Sequence, residues 1–467
     1  MELIDKFLIF EKNHNMIEKK IDDFYYWVYM RFELYSDFQR QKKEMKNSAY
    51  AINDSRIKKL LSQPQKLIWA WTRSMMRCHK KCNVLFVNHE RRMSVEGIDV
   101  PIYFDELIKN YSGEYVIVEP RNINNWHYQN EKYMENTYYL DDILNYKTPL
   151  HIKTHKYVNQ PFEVEFKEIL TAMEAEFDVV IDKNKWIQWV YYSKKRYESN
   201  KKQFIRMLRQ ISPQKIVEVV YYNNVFMALN EAAHELDIPV YELQHGIMGY
   251  YHIAYNFDKQ YSLPLLPDNI LLFSEYWMKN TRFPLPKKSQ FAVGYPYMES
   301  MVEKYRRDND DKLTILFISQ RTIGKQLSSF AVELEKLLNK RAMEHKIYYK
   351  LHPAECSDWN EELPELYKNR GKIDVISDPS RGIYELFGVS NYQIGVYSTA
   401  IFEGMAFGLK TFVLNVDGSE NVRDLCDGGY AELINSAEEF INKMTKVQNE
   451  TEFWKKGAVD NILKLLK

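Results

Sequence analysis

The 467-residue chain is poor in cysteine, has no net charge and lacks a long apolar run. Its four cysteines are too few and too scattered for a disulfide framework, so we expect a reducing, cytoplasmic environment. No second ligand pair stands near Cys78 and Cys82, which argues against a zinc site. No stretch of about 20 apolar residues occurs, so the sequence predicts no membrane-spanning helix. The first residues contain acids and do not have the pattern of a secretion signal.

Charge is balanced over the whole chain but not along it. Lys plus Arg and Asp plus Glu each number 64, so net charge gives no reason to expect nucleic acid as a partner. The segment from Arg40 to Lys81 is strongly basic and contains Trp69 and Trp71. Basic residues beside tryptophans are typical of a contact with a membrane surface. The segment predicts either a peripheral contact at the inner face of the plasma membrane or a solvated helical face on the first domain.

Short apolar runs alternate with helical patterns over most of the chain. One series of predicted strands extends from Val84–Val87 to Pro239–Leu243, and a second extends from Ile270–Ser274 to Thr411–Leu414. Such alternation is typical of a parallel sheet with helices on both faces. The sequence therefore predicts an α/β fold with two parallel sheets.

The length exceeds what one hydrophobic core normally supports, so we expect two domains. The proline-containing stretch Leu263–Pro267 interrupts the pattern and suggests a boundary there. We expect an N-terminal domain over 1–265, with an aromatic and basic helical extension over 1–82. A C-terminal domain over 266–467 would then end in a closing helix at 451–467.

The stretch from Tyr392 to Asn415 reads as strand, helix, strand. An apolar run ends in Ser398 and Thr399, and a helix of small residues follows. A helix that starts here would direct its free N–H groups and its positive dipole end at the carboxyl edge of the sheet, where phosphates bind. Glu403, about one turn later, could accept hydrogen bonds from sugar hydroxyls. An ordinary capped helix is the alternative.

Three further polar features follow predicted strands, which is where ligands bind in open α/β sheets. His245 follows the last strand of the first series and has a pKa suited to proton transfer, although a structural hydrogen-bonding role is the alternative. Lys350 and His352 could donate to a departing phosphate, or form a turn with exposed polar side chains. Arg321 could form a fork on phosphate oxygens, beside a glycine at 324 that admits close backbone approach.

Three motifs together resemble bacterial capsule polysaccharide glycosyltransferases of the GT-B type, including Kdo transferases. The motifs are Gln244-His245-Gly246, Lys350-Leu-His352-Pro353 and Ser398-Thr399-x-x-x-Glu403-x-x-x-x-Gly408, and the match covers about residues 215–415. The chain is more loosely similar to CDP-glycerol glycerophosphotransferases and to sialyltransferases with a His-Pro motif. The resemblance implies two Rossmann-like domains facing each other across a cleft, with the acceptor on the N-terminal domain and the donor on the C-terminal domain.

The resemblance also implies roles for individual residues. His352, Ser398 and Thr399 would hold the donor phosphates, and Glu403 would bind ribose. His245 and His352 would be catalytic, with His245 as the base. The full donor site expected is Arg321, Lys350, His352, Ser398, Thr399 and Glu403. The sialyltransferase acidic motif is not evident, so a carboxylate base remains an alternative, with Asp99, Glu119 and Glu242 as candidates.

We therefore expect an enzyme that transfers a sugar from a nucleotide-sugar, with CMP-activated sugars among the candidates, to a surface polysaccharide or its lipid-linked precursor. Transfer would invert configuration. It would need no metal or cofactor, because no Asp-x-Asp motif stands at the carboxyl end of a predicted strand. One alternative is a CDP-glycerol-type polyol-phosphate transferase, although Gln244 replaces the tryptophan of that family. Further alternatives are a UDP-sugar 2-epimerase-like enzyme and a non-catalytic capsule-assembly protein.

Overall fold

The chain folds into two units, each built around a parallel sheet. The computed structural model describes residues 2–42, 64–95, 97–122, 126–128, 130–141, 159–306, 313–378, 381–444 and 453–467. Unit 1 comprises Met1–Leu272, Thr281–Phe291 and Ile462–Lys467, and unit 2 comprises Phe273–Asn280 and Ala292–Asn461. Within the described ranges no helix is long and apolar enough to cross a membrane.

Unit 1 combines a seven-stranded sheet with helices and a small hairpin. Its described helices are α1 (Leu3–Asn13), α2 (Tyr26–Gln41), α3 (Pro64–Thr72), α4 (Asp105–Asn110), α5 (Gln160–Phe177), α6 (Lys183–Ile211) and α7 (Phe226–His234). The strands are β1 (Val84–Val87), β2 (Arg92–Val95), β3 (Ile98–Pro101), β4 (Tyr115–Glu119), β5 (Thr137–Tyr139), β6 (Lys215–Glu218), β7 (Val240–Leu243), β8 (Asn269–Leu272) and β9 (Gln290–Ala292).

The large sheet of unit 1 has the order β5-β4-β1-β6-β7-β8-β9, and β2 pairs with β3 as an antiparallel hairpin. The pairs that join β5, β4, β1, β6, β7 and β8 are all parallel. If the hairpin is set aside, this is the 3-2-1-4-5-6 order of a Rossmann sheet with one further strand. The strand order reverses at β1 and β6, so the carboxyl ends of these strands form the place where a ligand is expected.

Unit 2 repeats the same topology. Its helices are α8 (Glu275–Asn280), α9 (Pro296–Tyr305), α10 (Gly324–Lys340), α11 (Trp359–Glu362), α12 (Pro364–Lys368), α13 (Ile383–Gly388), α14 (Thr399–Ala406), α15 (Arg423–Asp427) and α16 (Ala437–Lys443), and α17 (Ala458–Leu466) continues into unit 1. The strands are β10 (Leu313–Ile318), β11 (His345–Lys350), β12 (Asp374–Ile376), β13 (Tyr392–Gly395), β14 (Lys410–Leu414) and β15 (Glu432–Ile434).

The sheet of unit 2 is parallel throughout, in the order β12-β11-β10-β13-β14-β15. This is again the 3-2-1-4-5-6 order, and it reverses at β10 and β13. The central strand β10 is a continuous apolar run because helices cover both faces, and Ile315 and Phe317 on it are fully buried. The prediction of two Rossmann-like α/β domains is confirmed.

One part of the sequence-based assignment is wrong. Ile270–Ser274 and Gln290–Val293 were expected to open the second sheet, but the corresponding strands β8 and β9 extend the first sheet beyond β7. An apolar run indicates that a strand is buried but does not indicate to which sheet the strand belongs. The prolines of Leu263–Pro267 mark the loop between β7 and β8, and the units divide at Leu272. In the predicted closing segment 451–467, the helix extends from Ala458 to Leu466.

Candidate active site

The loops that follow β11, β10 and β13 meet at the carboxyl edge of the unit 2 sheet, beside the reversal of strand order. The loop after β10 is joined to the loop after β13 by Gln320, whose Oε1 accepts from the Tyr397 N–H at 3.3 Å. The hydroxyls of Thr322 and Tyr397 also share a hydrogen bond. These bonds fix two of the three loops against each other where a ligand is expected.

Arg321 ties the loop after β10 to the loop after β11. Its guanidinium donates to the carbonyl of Ala354 and forms an ion pair with Asp358 Oδ2 at 2.7 Å. In this structure the Arg321 side chain joins two loops of the site. Its contact with phosphate stays a prediction. Both partners are half-exposed, so the ion pair itself adds little stability.

Glu355 organises the turn that carries His352. Its buried carboxylate accepts from the His352 N–H at 2.8 Å through Oε2 and from Ser319 Oγ at 3.1 Å through Oε1. A Cβ added at Gly324 would overlap Oε1, so glycine is the residue that leaves room for this carboxylate. The sequence pattern did not single out Glu355, although it stands only three residues after His352.

The ring of His352 presents a donor to solvent. Nδ1 accepts a hydrogen bond from the Ala354 N–H at 3.1 Å, and the side chain is exposed. A backbone N–H can only donate, so Nδ1 carries a lone pair and the hydrogen of the neutral ring is on Nε2. His352 therefore offers its Nε2–H to an oxyanion outside the turn.

Helix α14 begins after β13, one of the two strands at the reversal of strand order. Ser398 is its N-cap, and Oγ accepts from the Ala400 N–H at 3.3 Å. Gly404 permits the helix to pack closely on β13, because an added Cβ would overlap the side chain of Gln393. Thr399 opens the helix and is exposed. The positive end of the helix dipole and the first-turn N–H groups thus point at the sheet edge, as predicted for anion binding.

Glu403 and Lys350 have protein partners. Glu403 is half-buried and accepts from the Tyr384 hydroxyl at 3.0 Å, and burial together with this carboxylate raises the pKa of Tyr384. Lys350 Nζ donates to the carbonyls of Asp378 and Arg381 at 3.0 and 2.9 Å, and burial lowers the pKa of its ammonium group. Lys350 thus secures the loop after β12, and its contact with a ligand stays a prediction.

His245 lies in unit 1, directly after β7, and belongs to a cluster of histidines and tyrosines. The Tyr103 hydroxyl donates to the His245 carbonyl at 2.8 Å. The Tyr222 hydroxyl lies 3.4 Å from Nε2, and the Tyr255 hydroxyl lies 3.5 Å from Nδ1. Burial first, and then the neighbouring histidines, lower the pKa of His245 well below its usual value. The imidazole is therefore neutral near pH 7, which a general base requires.

His89 and His252 complete this cluster and were not identified from the sequence. Burial lowers the pKa of both imidazoles to about 4. His89 immediately follows Asn88 at the carboxyl end of β1, so the strand-end rule that selected His245 would also have selected it. His252 lies beyond the strand ends, and only the fold brings it within 6.3 Å of the His245 ring.

The three alternative carboxylate bases have different surroundings. Glu242 is fully buried, so it cannot contact a substrate directly. Glu119 is buried in a salt-bridge network with Arg92. Asp99 lies on the β2–β3 hairpin. Among the residues that the structure describes, no group of three or more His, Cys, Asp or Glu side chains is arranged to hold a metal ion.

Fold and site together define the class: a two-unit, Rossmann-like α/β protein whose second unit presents hydrogen-bond donors and a helix N-terminus at the point where its strand order reverses. Similar solved structures include UDP-GlcNAc 2-epimerase from Neisseria meningitidis, at 13% identity and a TM-score of 0.48, covering 82% of this chain and 98% of that one.

Two further similar structures are MurG and a wall teichoic acid polymerase. MurG from Acinetobacter baumannii is 14% identical, with a TM-score of 0.37, over 58% of this chain and 80% of that one. The wall teichoic acid polymerase TagF is 11% identical, with a TM-score of 0.42, over 89% and 98%. No protein-family model matches the chain, and no curated protein matches its sequence. At such low identity and TM-score, we base the function on the residues of the site.

Proposed function

We propose that the protein is a glycosyltransferase that moves a sugar from a nucleotide-activated donor to a surface polysaccharide or its lipid-linked precursor. The observation that carries the proposal is the outward Nε2–H of His352, fixed by Ala354 and Glu355. His352 follows β11, which lies next to β10 in the sheet, and α14 follows β13 on the other side of β10. A sugar bound through phosphate needs such donors as its bond to the phosphate breaks.

His245 supplies the complementary function in this proposal. Its neutral imidazole removes the proton from an acceptor hydroxyl, whose oxygen then attacks the sugar carbon as the phosphate departs. A single direct displacement of this kind inverts configuration. Ser398, Thr399 and His352 stabilise the leaving phosphate, so a metal ion is not needed for that purpose.

The decisive variant is His352→Ala. Loss of its donor should lower turnover by on the order of 10²-fold and weaken binding of the donor nucleotide. His345→Ala is the matched control, because His345 begins the same strand β11 at its opposite end. We would measure sugar transfer, and thermal stabilisation of each variant by CMP, UDP, GDP and CDP-glycerol.

The same panel separates the alternatives. Stabilisation by CDP-glycerol alone would indicate a polyol-phosphate transferase. Turnover of a UDP-sugar without an acceptor would indicate an epimerase. Binding of none of the four nucleotides would indicate a non-catalytic protein, and unchanged transfer by the His352→Ala variant would remove His352 from the mechanism.

We further propose that the basic segment Arg40–Lys81 gives peripheral contact with a membrane surface. Residues 43–63 of this segment lie outside the described residues. On α3, Ile68 and Trp71 are 62% and 54% exposed, and the Arg77 guanidinium stacks on the Trp71 ring. Replacing both Ile68 and Trp71 by alanine should reduce co-sedimentation with anionic vesicles at low salt, whereas Val164→Ala, at an equally exposed apolar position on α5, should not. Equal sedimentation with and without vesicles would exclude the contact.

A further inference from the structure

Unit 1 contains a carboxylate that the proposed reaction does not use. Glu242 lies on β7 and is 0% exposed. Its Oε1 accepts from the Tyr221 N–H at 3.1 Å and from the Tyr255 hydroxyl at 2.5 Å. Burial raises the pKa of this carboxyl group to about 8. Burying a carboxylate costs several kcal/mol unless it is paired, so its position three residues before His245 calls for an explanation.

The hydrogen bond to Glu242 fixes the direction of the next one. The Tyr255 hydroxyl has a single hydrogen, and it is donated to the nearer oxygen, that of the carboxyl group. Toward His245 Nδ1, 3.5 Å away, the Tyr255 oxygen can then only accept. This arrangement places the imidazole hydrogen on Nδ1 and leaves the lone pair on Nε2.

The other side of the ring has a matching arrangement. The Tyr222 hydroxyl lies 3.4 Å from His245 Nε2 and 3.3 Å from His252 Nε2. Tyr222 therefore donates to the lone pair on His245 and accepts from the Nε2–H of His252. The buried Nδ1 of His252 has no hydrogen-bond partner among the described residues, which suits a lone pair better than an N–H. Every hydrogen in the chain from His252 to Glu242 can thus point the same way.

We propose that Tyr255 and Glu242 are positioning residues that hold His245 in the tautomer with a basic Nε2. This inference rests on the proposed function of His245. In the reaction, the acceptor hydroxyl takes the place of Tyr222 and its proton passes to Nε2. The acceptor oxygen forms a bond to the sugar carbon, and the electrons of the broken carbon–oxygen bond leave with the phosphate. Nδ1 keeps its hydrogen, and above pH 8, where Glu242 is ionised, its carboxylate stabilises the imidazolium through Tyr255.

Other charged or titratable groups lie close to the two ends of this chain. Those that act on His245 are His252, His89 and Arg91, and Tyr222 faces its ring. Around Glu242, Tyr221 and Tyr255 are hydrogen-bonded and Glu218 is near, and Arg31 acts on Tyr221. Burial and Glu242 raise the pKa of Glu218 well above its usual value, and the pKa values of His89 and His252 are lowered to about 4. Glu242, whose pKa is about 8, therefore changes its charge near that pH.

The test compares Tyr255→Phe and Glu242→Gln with Tyr197→Phe. Tyr197 is a buried tyrosine of unit 1 whose hydroxyl donates to Glu231. Its variant therefore removes the same kind of tyrosine–glutamate hydrogen bond at a different position. We expect Tyr255→Phe to lower kcat by on the order of 10²-fold with little change in the donor KM. Glu242→Gln keeps an oxygen acceptor, so the loss should be smaller and the step near pH 8 in the kcat profile should disappear. Tyr197→Phe should keep the wild-type profile.

A second measurement does not depend on activity. The ¹⁵N shifts of the His245 ring, assigned by difference with His245→Gln, report which nitrogen carries the hydrogen. We expect Nδ1–H in the wild-type protein and in Glu242→Gln, and a mixture of tautomers in Tyr255→Phe. An Nε2–H ring in the wild-type protein, or a Glu242→Gln profile that keeps the step near pH 8, would overturn the proposal.

The two proposals fail in different ways. If His245→Ala transfers sugar normally while the tautomer responds to Tyr255→Phe, the base assignment is wrong and the positioning stands. If His245→Ala abolishes transfer while Tyr255→Phe changes neither tautomer nor kcat, the base assignment stands and the positioning is wrong.

Discussion

Glycine and glutamate act as a pair in the wall of the unit 2 site. The Glu355 carboxylate bonds to the backbone of His352 and to the hydroxyl of Ser319, and it lies where the Cβ of any other residue at 324 would be. The orientation of His352 therefore depends on the absence of a Cβ at Gly324, which leaves room for the Glu355 carboxylate. A small side chain there should disturb the site without touching any group that contacts the ligand.

We predict that Gly324→Ala displaces this carboxylate. The variant should lose about 1–3 kcal/mol of stability through overpacking and should bind the donor nucleotide more weakly, because His352 is no longer held. Thermal unfolding with and without nucleotide measures both effects. Gly371→Ala is the control, since a Cβ at Gly371 meets nothing within 4 Å. Equal nucleotide binding by the two variants would show that the carboxylate does not orient His352.

The strand-end rule selected His245 and His352 as candidates, because each stands two residues after a strand. It could not locate their partners. Tyr255 is close to His245 in sequence but follows an irregular segment, and Tyr222 follows a different strand, β6. Glu242 reads as one polar residue in an apolar strand, and nothing local indicates which hydroxyl it bonds. Side-chain partners across the sheet edge depend on register, which apolar patterning does not specify.

At the scale of elements, α14 contributes more through its start than through its length. It has eight residues, and the side chain of its N-cap residue, Ser398, accepts a capping hydrogen bond. Helix α16 has the same kind of cap, in which Ser436 accepts from the Glu439 N–H at 3.2 Å. The two caps are therefore a natural pair for comparison.

We predict that Ser398→Ala and Ser436→Ala each cost about 1 kcal/mol of stability, the usual value for a lost N-cap. Only Ser398→Ala should also weaken nucleotide binding, because α14 starts at the reversal of strand order. Denaturant unfolding gives the first quantity, and isothermal titration with the nucleotide identified by the panel gives the second. A similar loss of affinity in both variants would mean that reduced stability, and not the site, is responsible.

Elements were predicted well where burial makes strands continuously apolar, as in β1 and β10. The three-residue strands β5 and β15 were not predicted, whereas the equally short β9 was predicted because its apolar run continues to Val293. The assignment of β8 and β9 to a sheet failed for a different reason. Both sheets contain short apolar strands in the 3-2-1-4-5-6 order, so no local feature separates the last strands of one sheet from the first strands of the other.

At the scale of the whole molecule, buried titratable groups set the dependence of stability on pH. Burial raises the pKa of Glu242 from 4.5 to about 8 and, with the charge of Glu119, raises that of Glu131. Burial lowers the pKa of His89 and His252 from 6.5 to about 4. The folded chain therefore binds more protons than the unfolded chain at the carboxyls, and fewer at the histidines.

We predict that the free energy of unfolding falls as pH rises from 6.5 to 8. The histidine contribution increases between pH 4 and 6.5 and is constant above that range, whereas the carboxyl contribution decreases from about pH 4.5 until pH passes the folded value of about 8. Thermal unfolding over this range measures the slope. Glu131→Gln should reduce it, and Glu439→Gln should not, because the pKa of Glu439 is lowered to about 2. A free energy of unfolding that does not fall over this range would show that these carboxyls are ionised throughout it.

Residues 462–467 belong to unit 1, although they follow all of unit 2 in the sequence. Ile462 is fully buried, and Lys215 Nζ donates to the Leu465 carbonyl at 3.0 Å. Synthesis on the ribosome proceeds from the N-terminus, and domains usually fold as they emerge. Unit 1 therefore cannot complete its fold until all of unit 2 has been synthesised. A chain that terminates before Ile462 lacks the last residues of unit 1 and leaves exposed the apolar surface that Ile462 covers. Such exposed apolar surface is bound by chaperones and makes the chain susceptible to proteases.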